Sequence, residues 1–363
     1  MFKEALVQSP QSWFGGGGAL LWDNSASTSN GYTLGNDMRQ KSFSELEYGA
    51  KRKQTRRDRF LAEIEAITPR SELVQVLEPY YPAGKRGRPP IGLERMLRMY
   101  VAQQCFGLSD EGAEDALYDS QAIRAFVGID LSREAAPDAT TLLKFRRLLE
   151  KHQLTKAIFQ VVNDHLEDKG LLLRQGTIVD ASIIAAPPST KNRDKARDPE
   201  MHQTRKGKQW YFGMKAHIGV DAVSGMVHSL VGTAANVGDV TQTEKLLHGE
   251  EKLVFADAGY TGADKRPELK DKAVKWVVAA KRGLLKAMPE GPERDRLKAL
   301  EKAKAQIRSL VEHPFHVIKN RFGHRKVRYR GLAKNTAQLF SLFALANLVQ
   351  TKDRILAQGV IAP

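Results

Sequence analysis

One change of apolar period, near residue 175, constrains the fold of this chain more than any other feature of its sequence. Between Ile91 and Leu172 the apolar residues recur at helical spacing: Leu93, Met96, Leu97, Tyr100 and Val101 form one stripe, and Leu142, Phe145, Leu148 and Leu149 form another. Ser109-Asp110 and Asp138-Ala139-Thr140-Thr141 supply the polar starts that such helices need. From Gly176 onward the pattern is that of strands, which are expected at 177–184, 213–222, 226–234, 252–257 and 273–280. Helical spacing returns near 240–248 and 263–271 and in a long helix across 292–322. A hairpin-like start followed by alternating strands and helices predicts an α/β fold, a mixed sheet flanked by helices, preceded by an all-α unit of short helices and capped turns. On this reading the chain divides into a flexible glycine- and serine-rich leader over 1–40, a helical unit over 41–172, the sheet-bearing unit over 173–335, and a C-terminal helix and tail over 336–363.

Two short apolar β-type runs close on acids. Asp180 closes Thr177-Ile178-Val179-Asp180, and Asp257 closes Leu253-Val254-Phe255-Ala256-Asp257. A carboxylate ending a buried strand is unfavourable unless a cation or hydrogen bonds compensate it. A third acid, Glu312, lies on the predicted long helix between Arg308 and Lys319. At roughly 100° per residue these three fall within about 40° of one stripe, so one carboxylate stands between two cations that could hold phosphate. Pro314 should kink that helix or mark a restart just after Glu312. On spacing alone, three independently useful acids explain the pattern as well as one shared site does.

Longer strings around these residues resemble one family closely. Thr177-Ile178-Val179-Asp180-Ala181-Ser182 with Ser189-Thr190-Lys191-Asn192, Asp198-Pro199-Glu200-Met201-His202-Gln203-Thr204, Gly213-Met214-Lys215-Ala216-His217-Ile218-Gly219-Val220-Asp221, Ala256-Asp257-Ala258-Gly259-Tyr260 and Val311-Glu312-His313-Pro314-Phe315 are similar to bacterial DDE transposases of the insertion-sequence-5 family. The resemblance runs from about Met38 to the C-terminal helix. That family's terminal signature is Tyr, two residues, Arg, three, Glu, six, Lys. Arg308, Glu312 and Lys319 keep the spacing, while Ala305 in the Tyr place removes one stacking or phosphate-contacting side chain.

The resemblance implies an RNase H-like catalytic domain in which Asp180, Asp257 and Glu312 are both the catalytic and the metal-binding residues. It implies two Mg²⁺ or Mn²⁺ ions about 4 Å apart, hard cations that suit carboxylates, with Asp180 bridging both and Asp257 and Glu312 each completing one. The implied reaction is water attack at the transposon ends, then attack of the freed 3′-OH on target DNA, with Arg308 and Lys319 positioning the strand. The helical unit would be a helix-turn-helix-like DNA-binding domain that reads the terminal inverted repeats, and pairing two DNA ends implies a homodimer or higher homo-oligomer on DNA. Two other classes fit parts of the sequence. A stand-alone metal-dependent DNA nuclease would cut without joining, and an inactive DNA-binding regulator derived from a transposase would not need the acids.

Charge agrees with a DNA partner. Lys and Arg number 57 against 42 Asp and Glu, a net charge of +15, which suits a polyanion and salt-sensitive binding, although RNA binders share it. The DNA-binding candidates are Lys51, Arg52, Lys53, Arg56 and Arg57, which run into an apolar helical pattern at Phe60, Leu61, Ile64 and Ile67. They also include Arg86 and Arg88 in a Gly-Arg-Pro segment that reads as a minor-groove hook or a basic hinge, and Lys144, Arg146 and Arg147 near a helix start. His202, Trp210 and Tyr211 fall in a basic stretch expected to be a loop, touching DNA ends or simply packing.

Other residues have plainer readings. Asp221 reads as a turn former, Asp239 as a helix N-cap with a supporting role open, and Asp194 and Asp198 as solvated loop acids. His313 and His316 have a metal-like spacing but lack the further soft ligands of a zinc site. The apolar residues from Leu339 to Leu348 are expected to cover the catalytic sheet, or to form a dimer contact. One cysteine, Cys105, excludes an intramolecular disulfide framework. No apolar run reaches the roughly 18 residues of a membrane span, and Met1-Phe2-Lys3-Glu4-Ala5 begins no signal-peptide core, so the expected place is the bacterial cytoplasm, at the nucleoid. Translation from Met38 and an ordinary tail both account for the leader.

Overall fold

The computed structural model describes residues 53–360 apart from 85–88, 194, 271 and 273. Its first part is helical because each apolar stripe has a stop and a start. Thr55 opens α1 (Arg56–Ile67) with a reciprocal cap, its hydroxyl accepting the Asp58 N–H while the Asp58 carboxylate accepts the Thr55 N–H. α2 (Arg70–Leu77) and α3 (Leu93–Phe106) follow, and Gly107 ends α3 at φ +63°. Ser109 caps α4 (Asp110–Asp119), Ser120 caps α5 (Gln121–Val127), and Asp138 caps α6 (Ala139–Lys151), the first and last as the sequence predicts. α7 (Leu154–Asp168) completes the set. Their inward faces, among them Leu61, Met96, Leu117, Leu142 and Leu166, belong to one apolar core.

From Gly176 the chain builds a six-stranded mixed sheet flanked by helices. β1 (Gly176–Ala185) runs antiparallel to β3 (Gln209–Asp221), β3 antiparallel to β4 (Val227–Ala234), and β1 parallel to β5 (Leu253–Ala256), which is parallel to β6 (Lys275–Val278). β3 is long enough to carry two partners along the edge away from β1. β4 pairs with its 214–220 half, and β2 (His202–Lys206) pairs with 209–213. The stretch expected to be a basic loop is therefore a β-hairpin. Gly213, in β3 opposite Ala185, makes the close approach of β3 to β1 possible, because a Cβ there would lie 2.1 Å from the Ile184 carbonyl oxygen.

The sheet has two covered faces. Ile178, Ile184, Ile218, Val220 and Phe255 join the large core, whereas Val179, Val254, Ala256, Leu246 and Tyr260 form a smaller one on the other side. The C-terminal helix, α11 (Leu332–Val360), packs on β4 as expected and also on α7. Asn347 ties the three together: its amide donates to Asn163 at 2.9 Å and to the Val227 carbonyl at 2.7 Å, while its oxygen accepts the Val227 N–H at 2.9 Å. Asp198, read as a solvated acid, instead accepts the Gly331 N–H at 2.7 Å, and Glu200 accepts the Leu332 N–H at 2.6 Å. Both satisfy donors at the start of α11.

Two predicted helices shrink to 3₁₀ segments, Asp239–Leu246 and Ala263–Lys265. After the short helix α8 (Arg282–Ala287), the long helix is not continuous. α9 (Pro292–Arg308) passes through a 3₁₀ turn at Ser309–Val311, restarts as α10 (Glu312–His316) and widens into a π turn at Val317–Arg321. The restart falls at Glu312 itself rather than after it, and Pro314 occupies the first turn, where its missing N–H costs little. Among the described residues no helix is long and apolar enough to cross a membrane.

Candidate active site

The register of β1 on β5 brings two acids level. Thr177 lies beside Val254 and Ile178 beside Phe255, so Asp180 and Asp257 stand together two residues further on, at the carboxyl edge of the parallel pair. Asp257 leaves the sheet at the end of β5 and accepts the Gly259 N–H at 2.8 Å. A Cβ on Gly259 would come within 2.9 Å of that carboxylate oxygen, so the glycine is what allows the turn to close on the acid. Glu312, exposed, opens α10 on the large-core side of the sheet.

Asp180 is short of donors. It accepts one N–H, that of Ala181 at 2.7 Å. Burial pushes its carboxyl up, and the charges of Asp257 and Glu312 add to that push; the Ala181 N–H and Arg308 oppose it, leaving the group at about 6. The three acids and Arg308 thus share one electrostatic neighbourhood.

Lys319 completes the group. Its ammonium donates to Ser182 Oγ at 2.5 Å and to the Ile183 carbonyl at 3.0 Å, and it lies 5.8 Å from the centre of the Phe315 ring. Burial lowers its pKa, as do the cations Lys206 and Arg325, while Glu312 and Asp180 work the other way. The stripe of Arg308, Glu312 and Lys319 is therefore kept although the helix is broken. A tightened turn before Glu312 and a widened turn after it shift the helical face in opposite directions. Beside the acids opens a cavity of about 420 Å³ lined by Ser182, Glu312, Phe315, His316, Lys319 and Arg325, among others.

On the opposite face of the sheet lies a polar cluster that sequence reasoning did not assemble. Asp239 is not an N-cap; Gly238 holds that position, and no side chain caps the turn. Asp239 instead pairs with Lys215 at 2.8 Å and approaches His217 Nδ1 at 3.7 Å. His217 bonds Thr233 Oγ1 at 2.8 Å, and burial pushes its pKa down to about 4 although Asp239 opposes this, so the ring is neutral at neutral pH. The hydroxyl of Tyr260 is buried without a hydrogen-bond partner. Burial raises its pKa, and Asp239, Asp180 and Asp257 raise it further, so it stays a proton donor. Lys215, His217 and Tyr260 all lie in the strings that carry the family resemblance, which was the available signal.

The basic candidates of the helical unit do not line this cavity. Lys53, Arg56 and Arg57 are exposed at the start of α1, where Arg57 donates to Ser120 Oγ at 3.1 Å and lies over the Phe106 ring. Lys144 and Arg147 are exposed on α6. Arg146, grouped with them as a DNA contact, is 8% exposed: its guanidinium is bonded to Asp110 and stacked 4.4 Å from the Tyr329 ring. It is committed to the fold because the i+4 apolar stripe carries it inward beside Phe145. Lys51, Arg52, Arg86, Arg88 and Asp194 lie outside the described residues. His313 and His316 are exposed on α10.

Among the described residues no three His, Cys, Asp or Glu side chains close tightly enough on one point to hold an ion by themselves. The donor set still suits hard divalent cations. Asp180 and Asp257 each have a single oxygen engaged by a backbone N–H, which leaves carboxylate lone pairs free, and the buried charge of Asp180 lacks a counterion at hydrogen-bonding distance.

Residues 172–348 match the family model described as Transposase DDE domain, and residues 50–148 match the one described as Transposase domain (DUF772). Among solved structures, the chain is similar to the piggyBac transposase in its cryo-EM synaptic complex with hairpin DNA, at 9% identity and a TM-score of 0.46, over 83% of this chain and 76% of that one.

Proposed function

This chain belongs to the DDE transposases, and from that premise we propose that it binds the terminal inverted repeats of a bacterial insertion sequence of the insertion-sequence-5 family, cleaves DNA at the transposon ends and joins the 3′-OH to target DNA. The observation that carries this reading is that Asp180, Asp257 and Glu312, from three separate elements, share one electrostatic neighbourhood: burial pushes the Asp180 carboxyl up to about 6, and the charges of Asp257 and Glu312 add to that push. The strand order β4-β3-β1-β5-β6, three antiparallel then two parallel, supports an RNase H-like catalytic domain. The helices before it serve, on this reading, as the DNA-binding domain, and two protomers meet on paired ends.

Asp180 would contribute to both of two Mg²⁺ or Mn²⁺ sites, with Asp257 and Glu312 each completing one; two carboxylates per ion suffice when DNA oxygens and water fill the rest. Ions bound there supply an activated water or hydroxyl nucleophile and balance the charge that builds on phosphate oxygens. The protein's own side chains orient the strand. Lys319 is held by Ser182 and Ile183 rather than free to swing, so its charge is fixed at the wall of the cavity next to Glu312. Arg308 adds a second positive charge close to Asp180. Tyr260, protonated, lies on the opposite face of the sheet and feels the charges of Asp239, Asp180 and Asp257.

The test is a Mg²⁺- or Mn²⁺-dependent cleavage and strand-transfer assay on DNA carrying the flanking inverted repeats. Joined products that vanish in Asp180→Ala, Asp257→Ala and Glu312→Ala, with DNA binding retained, are the expected result. Cleavage without joining would make the chain a nuclease, and binding without either would make it a regulator.

A further inference from the structure

The hairpin of β2 and the first half of β3 contributes little to the core, since β2 exposes four of its five residues. Lys206 pairs with Gln209 across a two-residue loop, Gly207-Lys208, with Gly207 in the left-handed region at φ +63°. Trp210, paired across the hairpin with Arg205, is 63% exposed, more than any other large apolar side chain among the described residues. An indole left mostly in water on a hairpin has gained little from folding and can gain from a ligand.

Its surroundings say which ligand. Trp210 lines a groove of about 450 Å³ with Pro187, Arg197, Tyr211, Phe212 and Lys326, and among the described residues no carboxylate lines it. Asp198 and Glu200, close to Arg197 in sequence, are turned onto the backbone at the start of α11. Arg197 lies 5.4 Å from the centre of the Phe212 ring, so the groove sets a guanidinium and aromatic faces together. The groove also adjoins the acid site. Arg325 lines the cavity beside Glu312, Lys326 lines this groove, and Lys326 bridges to Ala185 at the end of β1. Lys206, near the hairpin tip, is close enough to depress the pKa of Lys319.

Paired duplex keeps its base faces covered, whereas an unpaired strand offers phosphates to cations and a bare base to an aromatic ring. We propose that this groove binds an unpaired segment of a DNA strand next to the acid site, with Trp210 stacking on one base and Arg197, Arg205 and Lys326 holding its phosphates. The proposal rests on the reading of the chain as an enzyme acting on DNA.

The experiment compares binding of the full-length protein, in EDTA, to a fluorescein-labelled duplex bearing an unpaired thymine arm and to the same duplex without the arm, followed by anisotropy. Wild type should bind the arm-bearing duplex more tightly. Trp210→Ala should weaken that binding about tenfold and leave the paired duplex unchanged, with Trp210→Phe restoring most of the loss. Circular dichroism of the variants matching wild type shows that the ribbon, not the fold, was altered. Equal affinity of wild type for both DNAs, or a Trp210→Ala variant that binds both as wild type does or loses both alike, would overturn the groove while leaving the transposase reading intact. Failure of wild type to bind either DNA would overturn both.

Discussion

Asp221 and Asp180 sit on the same pair of strands and are treated in opposite ways. Asp221, at the end of β3 opposite Thr177, is fully buried, and its carboxylate accepts the N–H groups of Leu173, Arg174, Val223 and Ser224 at 2.8, 2.7, 2.6 and 3.0 Å. Asp180, three residues along β1 from Thr177, accepts one N–H and faces two further acids. Both are withdrawn from water, Asp221 fully and Asp180 in part, so burial by itself does not tell the two acids apart. What separates them is supply: one acid has four donors, the other one donor and two rival acids. The turn at Asp221 is finished within the chain, whereas on the proposed reading bound cations would finish the edge at Asp180.

Deleting the satisfied acid should have the largest effect. Asp221→Ala strands four N–H groups at a buried turn, at about 1–3 kcal/mol for each one left without water. Partial hydration reduces the sum, and a loss of about 4 kcal/mol is expected in urea unfolding. A loss below about 1 kcal/mol would mean that the turn closes without its carboxylate. Next in size are the unsatisfied acids. Asp257→Ala and Glu312→Ala should each reduce metal-dependent cleavage by more than about a hundredfold, since even groups behind the ligands of a metal site cost up to that much. Their unfolding midpoints should barely move, because neither acid supports more than a local turn. A variant that unfolds in step with its loss of activity would make these acids structural.

How far this division could be read from sequence depends on where each residue's partners lie. Asp180 and Asp257 were legible because each closes an apolar run, and the runs are strands within a few residues of the expected limits. Glu312 was legible through the spacing of Arg308 and Lys319, but helical spacing of apolar residues cannot tell an α turn from a 3₁₀ or π turn, so the breaks on either side of it were not. The β2 strand was missed because Gln203-Thr204-Arg205-Lys206 has no apolar alternation; it forms by backbone pairing with β3. Arg146 was misread because the acid that claims it, Asp110, is 36 residues away. Asp239 and Tyr260 escaped for the same reason, since their neighbours come from other elements.

A smaller effect sharpens the comparison through pH. The Asp180 carboxyl rises from 3.8 to about 6 on folding, so its ionisation opposes the fold. The sign follows from proton counting: between about pH 4 and 6 the folded state holds the proton that the unfolded state has released, and stability falls as pH rises through that window. At roughly 1.4 kcal/mol per unit, and allowing for relaxation of a partly buried group, the loss is about 2 kcal/mol. His217 and His324, both pushed down to about 4 by burial, act in the other direction, since they lose stability as pH falls from 6.5 toward 4. Subtracting the pH profiles of wild type and Asp180→Asn, both in EDTA, isolates the carboxylate. Asp180→Asn should be the more stable above pH 6 by about 2 kcal/mol, with the gap shrinking toward pH 4. Adding Mg²⁺ should narrow the gap by stabilising wild type alone. A flat difference would mean that Asp180 is already compensated within the chain.

The smallest expected effect concerns cations, where the same question of supply applies. Arg146 has its partner in Asp110, whereas Lys144 and Arg147, on the same turns of α6, are exposed. Charges left in water add almost nothing to stability, so Lys144→Ala and Arg147→Ala should each unfold within about 0.5 kcal/mol of wild type. If that face meets DNA, each change should weaken binding about equally for all sequences and lower the dependence of log affinity on log salt by about one. Measuring affinity at several salt concentrations reads this directly. A slope unchanged in both variants would take α6 out of the DNA interface and leave the start of α1, with Lys53, Arg56 and Arg57, as the described helical surface to test in its place.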